Sequence, residues 1–229
     1  MQQPLDEVLQ KNKNLFRERA LATLADFIAQ NSKSFSLTHL NEKISSNLLS
    51  VLSSSNLNKK IVTKMFTTIG IFSPFKNEPI WYAKSNFFQT LMALFNNRLE
   101  LTTPSYNLHS PSLMTYTPLY KKQSREDLSP TQLPPWEPDI LLVPGLAFCI
   151  NKNNRINRLG RGKGFFDCYL SNSKKKPLTI GVAFDIQVYS SIPMGPHDET
   201  LDCLVTSSEI LGEFEELKKL NKNRKNRKE

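Results

Sequence analysis

The chain has 229 residues, 39% of them hydrophobic, and a formal net charge of +9, which is length enough for one core domain with extensions. No apolar run approaches the roughly 20 residues of a membrane span, and the opening MQQPLDEVLQ lacks the charge and apolar centre of a secretory signal, so a cytoplasmic protein without a membrane role is expected. Cys149, Cys168 and Cys203 are odd in number and form no CxxC pair, and His39, His109 and His197 are equally scattered, which argues against a disulfide framework, a structural zinc or a histidine-rich metal centre.

Apolar side chains at Leu9, Phe16, Leu24, Phe27 and Ile28 among charged neighbours predict a helix from about Leu5 to Gln30 with one buried face. Lys13 and Arg17 lie four apart and share a face of it, either as an anion contact or as a solvated basic stripe. Leu37, Leu40, Ile44, Leu48 and Leu52 predict a second helix, with Ser36 or Thr38 as its cap. Ile61 to Phe72 is β-branched and reads as a strand closed by the turn SPFKNEP, which puts Glu78 just past a strand end, where ligands meet the sheet in alternating α/β proteins.

Ala83 to Asn96 carries a helical stripe of Phe87, Phe88, Leu91, Leu94 and Phe95, and Leu99 to Thr103 and Leu113 to Leu119 read as strands. The stretch from Lys121 to Pro138 is polar and proline-rich, a surface excursion whose Trp136 suits either burial or packing on a flat ligand ring. Ile140 to Val143 is uniformly apolar, as a central strand covered on both faces must be. Leu178 to Phe184 is a second strand of that kind, followed by Gln187, His197, Asp198 and Asp202, a short strand in LDCLVT, and a final helix from about Ser208. Helices and strands alternate, which predicts a three-layer α/β/α sandwich around a mostly parallel sheet.

Glycine use singles out one stretch. Of only 8 glycines, Gly160, Gly162 and Gly164 fall in a five-residue window with Arg161 and Lys163, just after Arg158. Glycine permits tight turns and close approach of a ligand to main-chain N–H groups. The apolar run Phe165 to Leu170 behind the window reads as a helix whose positive end faces the loop. The pattern is shaped for phosphate but is neither a P-loop, since Gly164 follows Lys163, nor a dinucleotide fingerprint; the alternative is a plain basic turn between strand and helix. Asp167 follows directly, placed either to hold Mg²⁺ beside a phosphate or to stabilise the first helical turn. Asp198 joins it if both lie at one edge of the sheet. The excess charge is elsewhere: from Lys218 onward, seven Lys/Arg stand against Glu229, a basic tail that reads as a solvated end with at most weak hold on RNA.

The order VPGLAF (143–148), RLGRGKGFFDCYL (158–170), IGVAFDIQ (180–187), IPMGPHD (192–198) and VT (205–206) resembles the 5-formyltetrahydrofolate cyclo-ligase family. Upstream, Lys13 to Arg17 is similar to the family's Lys-x-x-x-Arg, and Glu78 falls where the family has a folate-contacting glutamate. The resemblance implies the NagB/RpiA/CoA-transferase-like version of the sandwich, one cyclo-ligase-like domain over residues 1–217, and a monomer. It also implies an ATP- and Mg²⁺-dependent ring closure: the formyl oxygen of 5-formyltetrahydrofolate, with or without a polyglutamate tail, is phosphorylated, N10 attacks the activated carbon, and phosphate leaves. Carried over residue by residue, Lys13, Arg17 and the loop Arg158, Leu159, Gly160, Arg161, Gly162, Lys163, Gly164, Phe165 and Phe166 contact ATP, with Arg158 and Lys163 as catalytic cations. Asp167 and Asp198 hold Mg²⁺, and Ser73, Glu78, Phe165 and Phe166 contact the folate. The family commonly has Tyr-Tyr where this chain has Phe165 and Phe166, which keeps the aromatic faces and removes two hydroxyls. The alternative from another class is a non-catalytic folate- or RNA-binding relative of the same fold.

Overall fold

The computed structural model describes residues 2–32, 36–54, 67–75, 77–106, 114–119 and 136–212. Two helices open the chain, α1 (Gln2–Asn31) and α2 (Ser36–Leu52). Then follow β1 (Thr67–Gly70), α3 (Phe87–Leu94), β2 (Leu99–Ser105), β3 (Thr115–Pro118) and β4 (Ile140–Val143). The hairpin of β5 (Ala147–Ile150) and β6 (Ile156–Leu159) leads into α4 (Phe165–Asn172), β7 (Leu178–Val182), a 3₁₀ turn (Asp185–Gln187), β8 (Cys203–Val205) and β9 (Ile210–Gly212).

Seven strands form one sheet in the order β3-β2-β1-β4-β7-β8-β9, and β5 and β6 form a separate two-stranded sheet. The five central strands are parallel, with Thr67 to Gly70 in register with Leu99 to Thr102, and β3 and β9 are antiparallel edges. From β1 the chain runs outward to β2 and β3, then returns to the other side of β1 with β4 and continues to β7 and β8. The direction reverses between β1 and β4, and in open α/β sheets a crevice forms at the carboxyl ends of the strands at such a point.

Strand periodicity explains the layers. In β4, Ile140 and Leu142 pack with Leu24 of α1, Ile44 and Leu48 of α2 and Phe87 and Leu91 of α3. Leu141 and Val143 face the other way, onto Phe148 and Ile156 of the hairpin and Phe166 and Leu170 of α4. All four β4 side chains are buried, as a strand covered on both faces requires.

Helix α1 serves two surfaces. Leu24, Phe27 and Ile28 join the sheet core, whereas Phe16, Ala20 and Leu21 pack on Leu146, Ala147 and Leu159 at the hairpin. Lys13, Arg17, Ala20 and Leu24 follow a spacing of three and four, so the helix face that docks also carries the two cations.

Three expectations are revised. The helix over 83–96 contracts to Phe87–Leu94, because Asn86, Asn96 and Asn97 take positive φ of 63°, 51° and 58°, a conformation asparagine tolerates and a helix does not. The strand from Leu178 stops at Val182 because the buried Gln187 side chain accepts the Phe184 N–H at 2.9 Å and folds the next residues into a turn. The final helix from Ser208 is not formed where the chain is described. Instead, a turn in which Thr206 N–H donates to the Glu209 carbonyl and Glu209 N–H to the Thr206 hydroxyl sends Ile210–Gly212 back along β8. The basic tail from Lys218 and most of the proline-rich excursion lie outside the described residues. Trp136 is half-buried against the core on the α4 side and is not part of the cleft described below.

Candidate active site

A cleft of about 650 Å³ opens at the reversal between β1 and β4. Its walls come from segments that follow strands. Phe75 and Glu78 follow β1, Tyr106 follows β2, and Pro144 and Gly145 follow β4. The glycine loop follows β6, and α1 contributes Gln10, Lys13 and Arg17 from across the opening.

The loop owes its shape to glycine at two positions. Gly162 and Gly164 have φ of 93° and 70°, the left-handed region that side chains with a Cβ enter at a cost. Gly164 also sits at the N-cap of α4 without any side-chain capping bond, so the first N–H groups of that helix are left for a ligand. Arg17 secures the loop from outside: its Nε–H donates to the Gly160 carbonyl at 3.0 Å. Burial lowers the Arg17 pKa below its ordinary value, while the nearby Asp198 and Asp167 carboxylates act to raise it; the residue keeps its charge and both acids lie within its field.

Three acids of the cleft, Glu78, Asp167 and Asp198, each have a cation. Lys13 Nζ lies 2.5 Å from Asp198 Oδ2, Arg158 Nη2 2.7 Å from Asp167 Oδ2, and Arg161 Nη2 3.2 Å from Glu78 Oε1. Main-chain donors add to this. Gly195 N–H reaches Asp198 Oδ2 at 2.6 Å and Glu199 N–H reaches Asp167 Oδ1 at 3.2 Å. Arg158 is buried at 5% exposure, its Nε–H has no partner, and its guanidinium lies 5.6 Å from the Phe166 ring centroid. A buried guanidinium with an unmet donor at the edge of a cleft is primed for an oxygen-rich anion. Among the described residues, no three His, Cys, Asp or Glu side chains are grouped to hold a metal ion by themselves. Asp167 and Asp198 do share the cleft wall, a donor set that suits Mg²⁺ shared with phosphate oxygens.

Flat rings also line the cleft. Phe165 packs on Tyr106 with centroids 4.9 Å apart, and Arg161 lies 4.9 Å from the centroid of Phe75. Burial, followed by the Glu78 charge, raises the Tyr106 pKa. Glu78 is anchored by accepting the Phe75 N–H at 3.0 Å.

Lys13, Arg17, Glu78, Arg158 to Asp167 and Asp198 thus meet in one cleft, while Ser73 is exposed outside its lining. Phe166 is a core residue that only edges the cleft, whereas Phe165 is half-exposed to it. Sequence reasoning missed Gln10, Phe75 and Tyr106. Gln10 was legible, being three residues before Lys13 on the same helix face. The rings were not, since their approach depends on how the ends of β1 and β2 are set beside α4.

The fold and the cleft together define an α/β protein with a basic, glycine-loop cleft at its topological switch point. The model of the 5-formyltetrahydrofolate cyclo-ligase family matches residues 58–207. A 5-formyltetrahydrofolate cyclo-ligase of Mycoplasma genitalium is 30% identical over 73% of this chain and 84% of its own length, and one of Saccharomyces cerevisiae is 32% identical over 52% and 65%. Among solved structures, a 5,10-methenyltetrahydrofolate synthetase from Mycoplasma pneumoniae superposes with a TM-score of 0.60 at 25% identity, covering 86% of this chain and 99% of that one. One from Aquifex aeolicus shares the fold at a TM-score of 0.52 and 22% identity. The chain belongs to the 5-formyltetrahydrofolate cyclo-ligase family. Helix α1, with Lys13 and Arg17, precedes the span that the family model matches.

Proposed function

We propose that this protein closes 5-formyltetrahydrofolate to 5,10-methenyltetrahydrofolate with conversion of ATP to ADP and phosphate. One observation carries this reading: a glycine loop with uncapped helix N–H groups and five surrounding cations shares a single cleft with a ring-lined pocket that ends in a buried carboxylate. A triphosphate suits the first half, and a flat, donor-bearing heterocycle suits the second.

In this reading the formyl oxygen attacks the γ-phosphorus and the bond to ADP breaks. N10 then attacks the formyl carbon, the C–O bond to phosphate breaks, and the N10 proton passes to solvent. Such chemistry needs positioning and charge neutralisation more than a protein nucleophile. Lys13 and Arg17 hold the nucleotide from α1, and the loop N–H groups with Arg158 and Lys163 carry the charge of the moving phosphoryl group. Asp167 and Asp198 would hold Mg²⁺. When bound, Mg²⁺ neutralises phosphate oxygens and keeps the triphosphate in line. Glu78 grips the amino-pyrimidinone edge of the pterin between Phe75, Tyr106 and Phe165, and Tyr106 supplies a phenol beside the rings where Phe165 has none.

The test is direct. The purified protein mixed with 5-formyltetrahydrofolate, Mg²⁺ and ATP should yield the absorbance of the methenyl product together with stoichiometric ADP. ATP hydrolysis without methenyl product, or no binding of either compound, would sink the proposal.

A further inference from the structure

We propose that Arg161 is an exchangeable counterion: it neutralises Glu78 in the folate-free cleft, is displaced by the pterin edge, and then turns to the phosphates, so that folate binding strengthens nucleotide binding. The inference rests on the folate reading given above. Three ion pairs line the cleft, and one differs from the others. In the Lys13–Asp198 and Arg158–Asp167 pairs both side chains are at most 20% exposed, whereas Arg161 is 41% exposed and its partner Glu78 only 4%. Glu78 stays fixed, because its second oxygen accepts the Phe75 N–H and its own N–H donates to the Phe75 carbonyl at 2.9 Å. Arg161 has the freedom to leave. It makes one 3.2 Å bond rather than a two-pronged pair, and its neighbour Gly162 holds a left-handed turn.

What Arg161 occupies is also informative. Its guanidinium offers N–H donors in one plane to Glu78 and covers the Phe75 ring face. The 2-amino-4-oxopyrimidine edge of a pterin offers the same pair of features, coplanar N–H donors and a flat π face. Both cannot hold one carboxylate edge and one ring at once. Without either, Glu78 would be a buried, uncompensated charge, which is costly. The guanidinium therefore stands in for the pterin until it arrives. Once released, it remains tethered between Gly160 and Gly162 in the loop that faces the phosphates, where it adds one positive charge. Linkage then requires the converse, with bound nucleotide drawing Arg161 away and tightening folate binding by the same factor.

Calorimetric titration of the full chain with a non-hydrolysable ATP analogue and Mg²⁺, with and without saturating 5-formyltetrahydrofolate, tests this. In the native protein the analogue should bind on the order of tenfold tighter when folate is present. Arg161→Ala should bring that ratio to about one while each ligand still binds alone, since removing the mobile group removes the coupling. Glu78→Gln, which no longer needs a cation, should bind the analogue without folate more tightly than the native protein does. A native ratio near unity, an Arg161→Ala ratio equal to the native one, or an unchanged nucleotide affinity in Glu78→Gln overturns the exchange and leaves the proposed reaction standing. Failure of the native protein to bind either ligand overturns both.

Discussion

At the residue scale, adjacent phenylalanines with the same chemistry do different work. Phe165 is half-exposed and packs on Tyr106 in the cleft, whereas Phe166 is buried among Leu141, Val143, Ile156 and Leu170. Phe165→Ala is expected to raise the KM for 5-formyltetrahydrofolate about fivefold to tenfold, the worth of a ring contact of about 1 kcal/mol, with a smaller loss of stability than Phe166→Ala because Phe165 only edges the same core. Phe166→Ala removes a core ring and should cost about 3 kcal/mol of stability, measured by denaturant unfolding. Equal stability losses in the two variants would show that this division is wrong. Asp167 carries a different test. Asp167→Asn should lower turnover by about a hundredfold and raise the Mg²⁺ concentration required, the size expected for loss of a charge-stabilising group; turnover unchanged at all Mg²⁺ concentrations would remove the metal role.

At the scale of elements, α1 is the device that brings two cations over the loop, and it does so through apolar docking. Leu24 is 1% exposed in the core shared with α2, α3 and the sheet. Leu24→Ala should cost about 3 kcal/mol and should weaken nucleotide binding more than folate binding, because Lys13 and Arg17 ride on the same helix; calorimetry with each ligand separately reads this out. The second element is the 3₁₀ turn after β7. There the Asp185 carboxylate accepts bonds from the hydroxyls of Thr206 and Ser207 and the N–H of Ser208. Burial pushes its pKa up, but these bonds outweigh burial and hold it below its ordinary value of 3.8. A carboxylate depressed on folding adds stability that is present above its unfolded pKa and is lost as pH falls through the lower folded value. Unfolding free energy should therefore decline below about pH 4, and Asp185→Asn should reduce stability at neutral pH and flatten that decline. A variant that keeps the native slope would assign the acid sensitivity to other carboxylates.

At the scale of the whole molecule, most of the +9 charge lies in the last stretch of the sequence, since from Lys218 onward the chain carries seven of its 30 Lys and Arg against a single acid. The cations of the cleft lie in α1 and the glycine loop, so a chain ending at Leu217 is expected to keep its turnover unchanged and to lose any salt-sensitive RNA retention. Loss of turnover on truncation would bring the tail into the enzyme.

The sequence by itself determined the α/β class, both opening helices, the buried strand Ile140–Val143 and the glycine turn before α4. These rest on local physics: period-2 and period-3.6 patterning of apolar residues, and clustered glycine among cations, do not depend on distant partners. It also marked Lys13, Arg17, Glu78, Asp167 and Asp198 individually. Only the tertiary structure decided that they share one cleft, because Lys13 and Asp198 are 185 positions apart and Glu78 and Arg161 are 83 apart, and such distances close only through the strand order of the sheet. The same holds for Phe75 and Tyr106, ordinary loop aromatics in the sequence, and for Ile210–Gly212, where a local helical expectation yielded to the backbone donors and acceptors of β8. Local pattern specifies which elements form, whereas the pairing of strand edges and the docking of α1 specify which side chains face one another.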